Sequence, residues 1–406
     1  MCIFCFLDKQ NQKVLRKKAE ALSNSYEQSL DIYKKIYIED YKKELNKNIC
    51  IEYTRLKAQK DCIKEIDINK IEKVFDVFKD VYISWINNNT SNSKEKVLNF
   101  FKENNLLEEI DLNNVLMFRA RKSEEELKSI DMLHIPFTKR FLIKNQRYSL
   151  SGRPMLYLGF TPKYIFKEIN CNYENSVYIS GFYLKEDCHL KVFDFRYNLS
   201  FLINDELDPI FNKQEKETLN KNNFEVEIIR SIAASICSFE KKGEYFSEEY
   251  VLPQIVSEVI SDEKYDGLLY TSSKTVESSK ISPFIDANLV LFTKYDKNRI
   301  YDPLYAYDND IIQKMFITNP VNILDFKGEK YNTFFDMREI KDRLTEFIME
   351  IPGSMLKEAI LNVETKHYAE ETLEKEIFFL IIYEILLKYE KGRIELYGKN
   401  KDLWNN

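Results

Sequence analysis

Arg147-Tyr148-Ser149-Leu150-Ser151-Gly152-Arg153-Pro154-Met155-Leu156-Tyr157-Leu158 is where the character of this chain changes. The Gly-x-Pro turn feeds a short apolar run, a pattern that predicts a strand over Met155–Phe160. Before it, the first proline is Pro136 and the first glycine is Gly152. Residues 1–135 lack both breakers, which predicts an overwhelmingly helical region. The stripe agrees: Leu15, Ala19, Leu22, Tyr26, Leu30, Tyr33, Tyr37, Tyr41 and Leu45 step by three or four. Ile71, Val74, Phe75, Phe78, Tyr82 and Trp85 form a second stripe, the polar run 87–93 ends it, and a short helix over about Lys94–Leu107 follows.

After about Asn113, β-like runs appear at Ser176–Tyr183, His189–Phe195, Gly267–Thr271 and Ala287–Phe292. Helical stretches lie between, at Pro162–Asn170, Phe224–Glu240 and Tyr250–Ser261. From about Asp302 the pattern is helical again, notably over Met337–Glu350 and Glu371–Lys391. The fold class is therefore α+β: a helical region over 1–110, a mixed domain over 112–297 and a mostly helical region over 298–406. Asp266-Gly267 reads as a tight turn with glycine at positive φ.

The 406 residues carry a net charge of −6, with 44% hydrophobic and 31% charged residues. That balance fits a globular protein and argues against a dominant nucleic-acid surface. Residues 9–48 hold ten Lys/Arg against six Asp/Glu, an excess that reads as a solvated helix face. The apolar run Ile377–Leu387, broken by Glu384, is well short of the ~20 residues that cross a bilayer. With no signal peptide and no membrane segment, the expectation is a cytoplasmic protein. Its seven cysteines are odd in number and scattered, which reads as reduced thiols. Cys2 and Cys5 make a CxxC-like pair, but Cys50 and Cys62 do not make a second one and the three histidines stand alone. No metal site is expected from that spacing.

Several blocks surround the opening stretch in a fixed order. Phe118-Arg119-Ala120-Arg121 lies upstream, and Glu168 follows Tyr157 on the next helical stretch. Downstream come Pro253-Gln254, then Asp266-Gly267-Leu268-Leu269-Tyr270-Thr271-Ser272, then Asn288-Leu289-Val290-Leu291-Phe292. Over about residues 115–295 this order resembles the RES family, bacterial toxins named for an arginine, a glutamate and a serine. The likeness is in the ordered set, since no single block is specific. It departs at Gln146, where the family usually has glycine, at Ser149, where asparagine is frequent, and in the longer segment Lys274–Asp286.

The resemblance implies an ADP-ribosyltransferase-like domain that consumes NAD as a substrate, and an antitoxin or regulatory protein as partner. The residue types suit that chemistry. Arg147 or Arg119 could grip a pyrophosphate with two parallel hydrogen bonds. Tyr157 could stack on the cationic pyridinium ring. Glu168 could stabilise the oxocarbenium-like sugar left when nicotinamide departs, with Glu174 next in line. Ser272 and Asn288 could hydrogen-bond the nicotinamide amide or a phosphate. Each residue also has a structural reading: a surface arginine, a core tyrosine, an exposed helix glutamate, a turn serine. Water, phosphate or a protein side chain are all open as acceptor, giving hydrolysis, phosphorolysis or protein ADP-ribosylation. The rival of another class is a non-enzymatic helical interaction protein carrying a degenerate RES domain.

Overall fold

The structure, a computed structural model, describes residues 1–113, 115–171, 176–185, 188–197, 221–240, 246–274, 287–299, 304–326 and 381. The helical runs expected at Met337–Glu350 and Glu371–Lys391, and Glu174, lie outside these residues.

Helices alone occupy the first hundred positions: α1 (Ile3–Phe6), α2 (Lys9–Ala21), α3 (Tyr26–Leu45), α4 (Lys57–Lys64), α5 (Ile68–Ile86) and α6 (Thr90–Glu103), with a 3-10 turn at Ile51–Leu56. Side-chain caps start most of them. Asp8 accepts from the Gln10 N–H, Ser25 from Gln28, Asp67 from Asn69 and Asn89 from Asn92. These caps explain two departures from the sequence reading. The single stripe from Leu15 to Leu45 is two helices, because Ser25 caps a new start and leaves Leu22 exposed. The third helix begins at Thr90, inside the polar run, because Asn89 caps it.

The strands and remaining helices follow as β1 (Glu109–Leu112), β2 (Leu116–Lys122), β3 (Met155–Gly159), α7 (Pro162–Glu168), β4 (Val177–Leu184), β5 (Leu190–Phe195) and α8 (Lys221–Ile236). Then come α9 (Val251–Asp262), β6 (Gly267–Thr271), β7 (Ala287–Phe292), α10 (Asn309–Lys314), β8 (Met315–Ile317), β9 (Val321–Asn322) and α11 (Ile323–Phe326). Strands β8 and β9 stand where the pattern after Asp302 reads as helical. They are short, and both are held by pairing with β4 rather than by local preference. The fold is α+β. Among the described residues no helix is long and apolar enough to cross a membrane.

The chain forms two compact units, neither of them a single stretch of sequence. The first contains residues 1–111, 138–156 and 190–292. In it β5 pairs parallel with β6, and β6 antiparallel with β7. Its helical part has an aromatic core: Tyr33 meets Phe75 and Phe239 edge-on at 5.4 and 5.6 Å, and Phe6 meets Tyr37 at 5.1 Å. The basic excess of residues 9–48 is partly internal, since Arg16 is buried and donates to the Ser235 hydroxyl.

Gly267 is not a positive-φ turn residue; among the described glycines only Gly152 is, at φ +78. Gly267 is required for another reason. A Cβ there would lie 2.5 Å from the Val290 carbonyl oxygen on β7.

The second unit contains residues 112–137, 157–189 and 293–406. Its centre is the β2–β4 ladder, antiparallel from Leu116↔Tyr183 to Lys122↔Val177. Strand β2 also pairs with β3 at Phe118↔Gly159. Thr161 caps α7, with Pro162 at its first position, and α7 packs against β2.

Candidate active site

Three of the six expected site residues belong to the first unit: Arg147, Ser272 and Asn288. The other three, Arg119, Tyr157 and Glu168, belong to the second.

In the first unit Arg147 occupies the tip of a tight turn. Gln146 and Ser149 close it with two main-chain hydrogen bonds, 3.0 and 3.2 Å long. Gln254 of α9 clamps it, donating through Nε2 to the carbonyls of Gln146 and Ser149 at 2.9 and 3.2 Å. The Pro253-Gln254 block thus serves the arginine turn directly. Arg147 Nη1 donates to two main-chain carbonyls, Cys237 at 2.8 Å and Phe239 at 3.0 Å. Its Nη2 donates to the Ser273 hydroxyl at 3.3 Å, and Cζ lies 5.2 Å from the Tyr250 ring centroid.

The N-terminal helices hold the same segment. Lys13 donates to the Ser273 carbonyl at 2.8 Å, and the Tyr33 hydroxyl is 2.7 Å from Ser235 Oγ. Ser272 is buried just beyond β6 and accepts from the Lys274 N–H at 3.1 Å, the short turn that serine favours. Asn288 is buried on β7 opposite Tyr270.

In the second unit alternation along β2 buries Phe118 and Ala120 and turns Arg119 and Arg121 to the other face. Arg119 is half-buried and Nη1 reaches the Tyr157 carbonyl at 3.5 Å, a weak contact. Its Nε is buried with no hydrogen-bond partner among the described residues. Burial, reinforced by the Arg121 guanidinium, pushes the Arg119 pKa well below the usual guanidinium range. Arg119 faces Ser180 in the β2–β4 register, so both side chains leave the same face. Ser180 is fully buried, and its hydroxyl is also unpaired among the described residues. Tyr157 is half-buried on β3, between buried Leu156 and Leu158, and Glu168 is half-buried at the end of α7.

Sequence reasoning missed Ser180, Ser273 and Tyr250. Ser180 was the findable one, as the sole hydroxyl amino acid other than tyrosine in the apolar run Val177–Leu184. Its partner was not findable, because register is a property of the pairing.

The unpaired groups of Arg119 and Ser180 make this face suited to an anion. A phosphate oxygen would satisfy a guanidinium edge and a hydroxyl together, and would offset the cost of burying the charge.

Comparison with known proteins gives one firm likeness. A Bacillus subtilis (strain 168) protein named "Putative toxin YopC" is 32% identical over 202 residues, covering 46% of this chain. The chain spans 45% of that relative's length, somewhat under half. No family model matches the chain. No solved structure matches it either.

Proposed function

We propose that this chain is a toxin-like enzyme that cleaves the nicotinamide–ribose bond of NAD. The observation that carries the reading is Arg119, a partly buried guanidinium paired in register with Ser180, its Nε and the Ser180 hydroxyl both without a hydrogen-bond partner among the described residues. It falls in the aromatic-Arg-Ala block of the RES resemblance. The toxin name of the Bacillus subtilis relative supports the same direction. The α+β architecture is compatible with the ADP-ribosyltransferase-like fold that the resemblance implies.

In this reading Arg119 and Ser180 hold the pyrophosphate through charge-assisted hydrogen bonds. Arg147, whose Nη1 is committed to two carbonyls, positions the segment that carries Ser272 and Ser273. Tyr157 stacks on the pyridinium ring. Glu168 places its charge opposite the developing oxocarbenium, so the transition state gains more than the bound substrate does. The leaving group departs neutral, and water or inorganic phosphate adds to the anomeric carbon. An antitoxin would be the natural partner of such an activity.

The test is nicotinamide release from NAD by the purified full chain, run with and without phosphate and with candidate protein acceptors. The account expects release in at least one condition, and the acceptor that accelerates it names the reaction. A folded chain that releases none in any of them would favour the non-enzymatic reading.

A further inference from the structure

The structure brings a third thiol to the Cys2–Cys5 pair. Cys2 caps the first turn, α1, and Cys5 lies three residues on, so both side chains leave one side of that turn. Cys50 is distant in sequence, immediately before the 3-10 turn at Ile51–Leu56. Cys5 Sγ lies 3.7 Å from Cys2 Sγ and 3.7 Å from Cys50 Sγ, and all three sulfurs fall within 4.8 Å of one another.

These distances are far too long for a disulfide, whose sulfurs sit about 2.05 Å apart. The two 3.7 Å separations match a different geometry. Thiolates bound to Zn²⁺ at about 2.3 Å in a tetrahedron are separated by about 3.8 Å along each edge. The frame around the sulfurs is built. The Phe6 N–H donates to the Cys2 carbonyl at 2.9 Å, and Gln12 Nε2 donates to the Phe6 carbonyl at 2.7 Å. The Tyr53 N–H donates to the Cys50 carbonyl at 3.0 Å, and Phe4 packs on Tyr53 at 5.6 Å. Cys2 is fully buried while Cys5 and Cys50 are half-buried, so the cluster is enclosed on one side and reachable from the other.

We propose that Cys2, Cys5 and Cys50 form a Zn²⁺ site with three thiolate ligands and a fourth position open to water or another donor. The cluster does not show in the spacing along the sequence, because the third thiol arrives through the fold and not as part of a second close pair. Binding breaks three S–H bonds and forms three S–Zn bonds, and the protons pass to solvent. The site would tie α1 to the segment leading into α4, staking down the start of the helical part of the first unit. Soft thiolate ligands favour Zn²⁺ over Mg²⁺ or Ca²⁺.

The experiment uses the reduced full chain carrying no histidine tag. Zinc content is measured after purification without chelator. Co²⁺ is then titrated into the metal-free chain, following the thiolate-to-cobalt charge-transfer band and the intense visible bands of tetrahedral cobalt. The expected result is about one Co²⁺ per chain, displaced by Zn²⁺. Cys50→Ser should weaken it about tenfold or more, and Cys62→Ser, whose thiol lies outside the cluster, should leave it unchanged. Circular dichroism checks that each variant is folded. A folded wild-type chain that gives no cobalt–thiolate band would overturn the proposal, as would a band that survives Cys50→Ser at full affinity. Neither result depends on NAD cleavage.

Discussion

Two arginines among the expected site residues, one in each unit, have opposite surroundings. Arg147 has its Nη1 on two main-chain carbonyls, its Nη2 on Ser273 and its face toward Tyr250. Among the described residues Arg119 has a weak contact to the Tyr157 carbonyl, an Nε with no hydrogen-bond partner and a second guanidinium nearby. In the first unit a guanidinium is consumed in holding the chain. In the second a guanidinium is kept at a cost to stability. The difference teaches how to separate a residue that positions from one that binds. A donor whose partners are all protein contributes to folding, while one buried without partners waits for a ligand or is a defect. Variants can break that distinction, because the two arginines should fail in opposite ways.

The largest effect is expected at Glu168. Glu168→Gln keeps the size and removes the charge, which should cost roughly 2.7–4 kcal/mol of transition-state stabilisation, on the order of 10²–10³ in rate. Steady-state nicotinamide release at saturating NAD measures this. Turnover equal to wild type would give the carboxylate role to another residue.

Next is Arg147→Met. It strips donors from the Cys237 and Phe239 carbonyls and from Ser273, so it should destabilise folding by about 2–4 kcal/mol. Denaturant unfolding reads it. A variant as stable as wild type would mean that these bonds are not what Arg147 is for.

The smallest effect is a pH dependence in the second unit. His134 is buried, with Nδ1 2.8 Å from the Ile135 carbonyl, and Nε2 accepts from the Asp308 N–H at 2.9 Å. It must therefore be neutral with the proton on Nδ1. Burial lowers its pKa below the ordinary histidine value, Arg119 adds to that, and the Ile135 carbonyl and Asp308 oppose it. A base with a depressed folded pKa binds fewer protons folded than unfolded. Its contribution is full above the unfolded value of about 6.5 and is lost as pH falls below it. His134→Gln keeps an acceptor and cannot titrate, so it should flatten the acid side of the stability-versus-pH curve. An unchanged acid slope would assign the sensitivity elsewhere.

Much of the fold was legible because its signals are local. Gly267–Thr271 and Ala287–Phe292 have the bounds that the apolar runs predict, and α7 starts at Pro162 because Thr161 and Pro162 announce it. What stayed hidden depends on partners distant in sequence. The carbonyls of Cys237 and Phe239 carry no side-chain signature that could mark them for Arg147. The pairing of Arg119 with Ser180, the capture of β8 and β9 by β4, and the arrival of Cys50 at Cys2 and Cys5 are all tertiary. Gly267 shows a subtler limit: glycine was rightly singled out, but the need is a close carbonyl and not a turn.

The most direct measurement pairs binding with stability in Arg119→Met. The side chain stays similar in length, the uncompensated charge goes, and no protein acceptor loses a strong donor. The account predicts that the variant unfolds at the same or higher denaturant concentration than wild type, while nicotinamide release falls about a hundredfold. A variant that is clearly less stable, or one that releases nicotinamide at the wild-type rate, would contradict the assignment of Arg119 to the pyrophosphate of NAD.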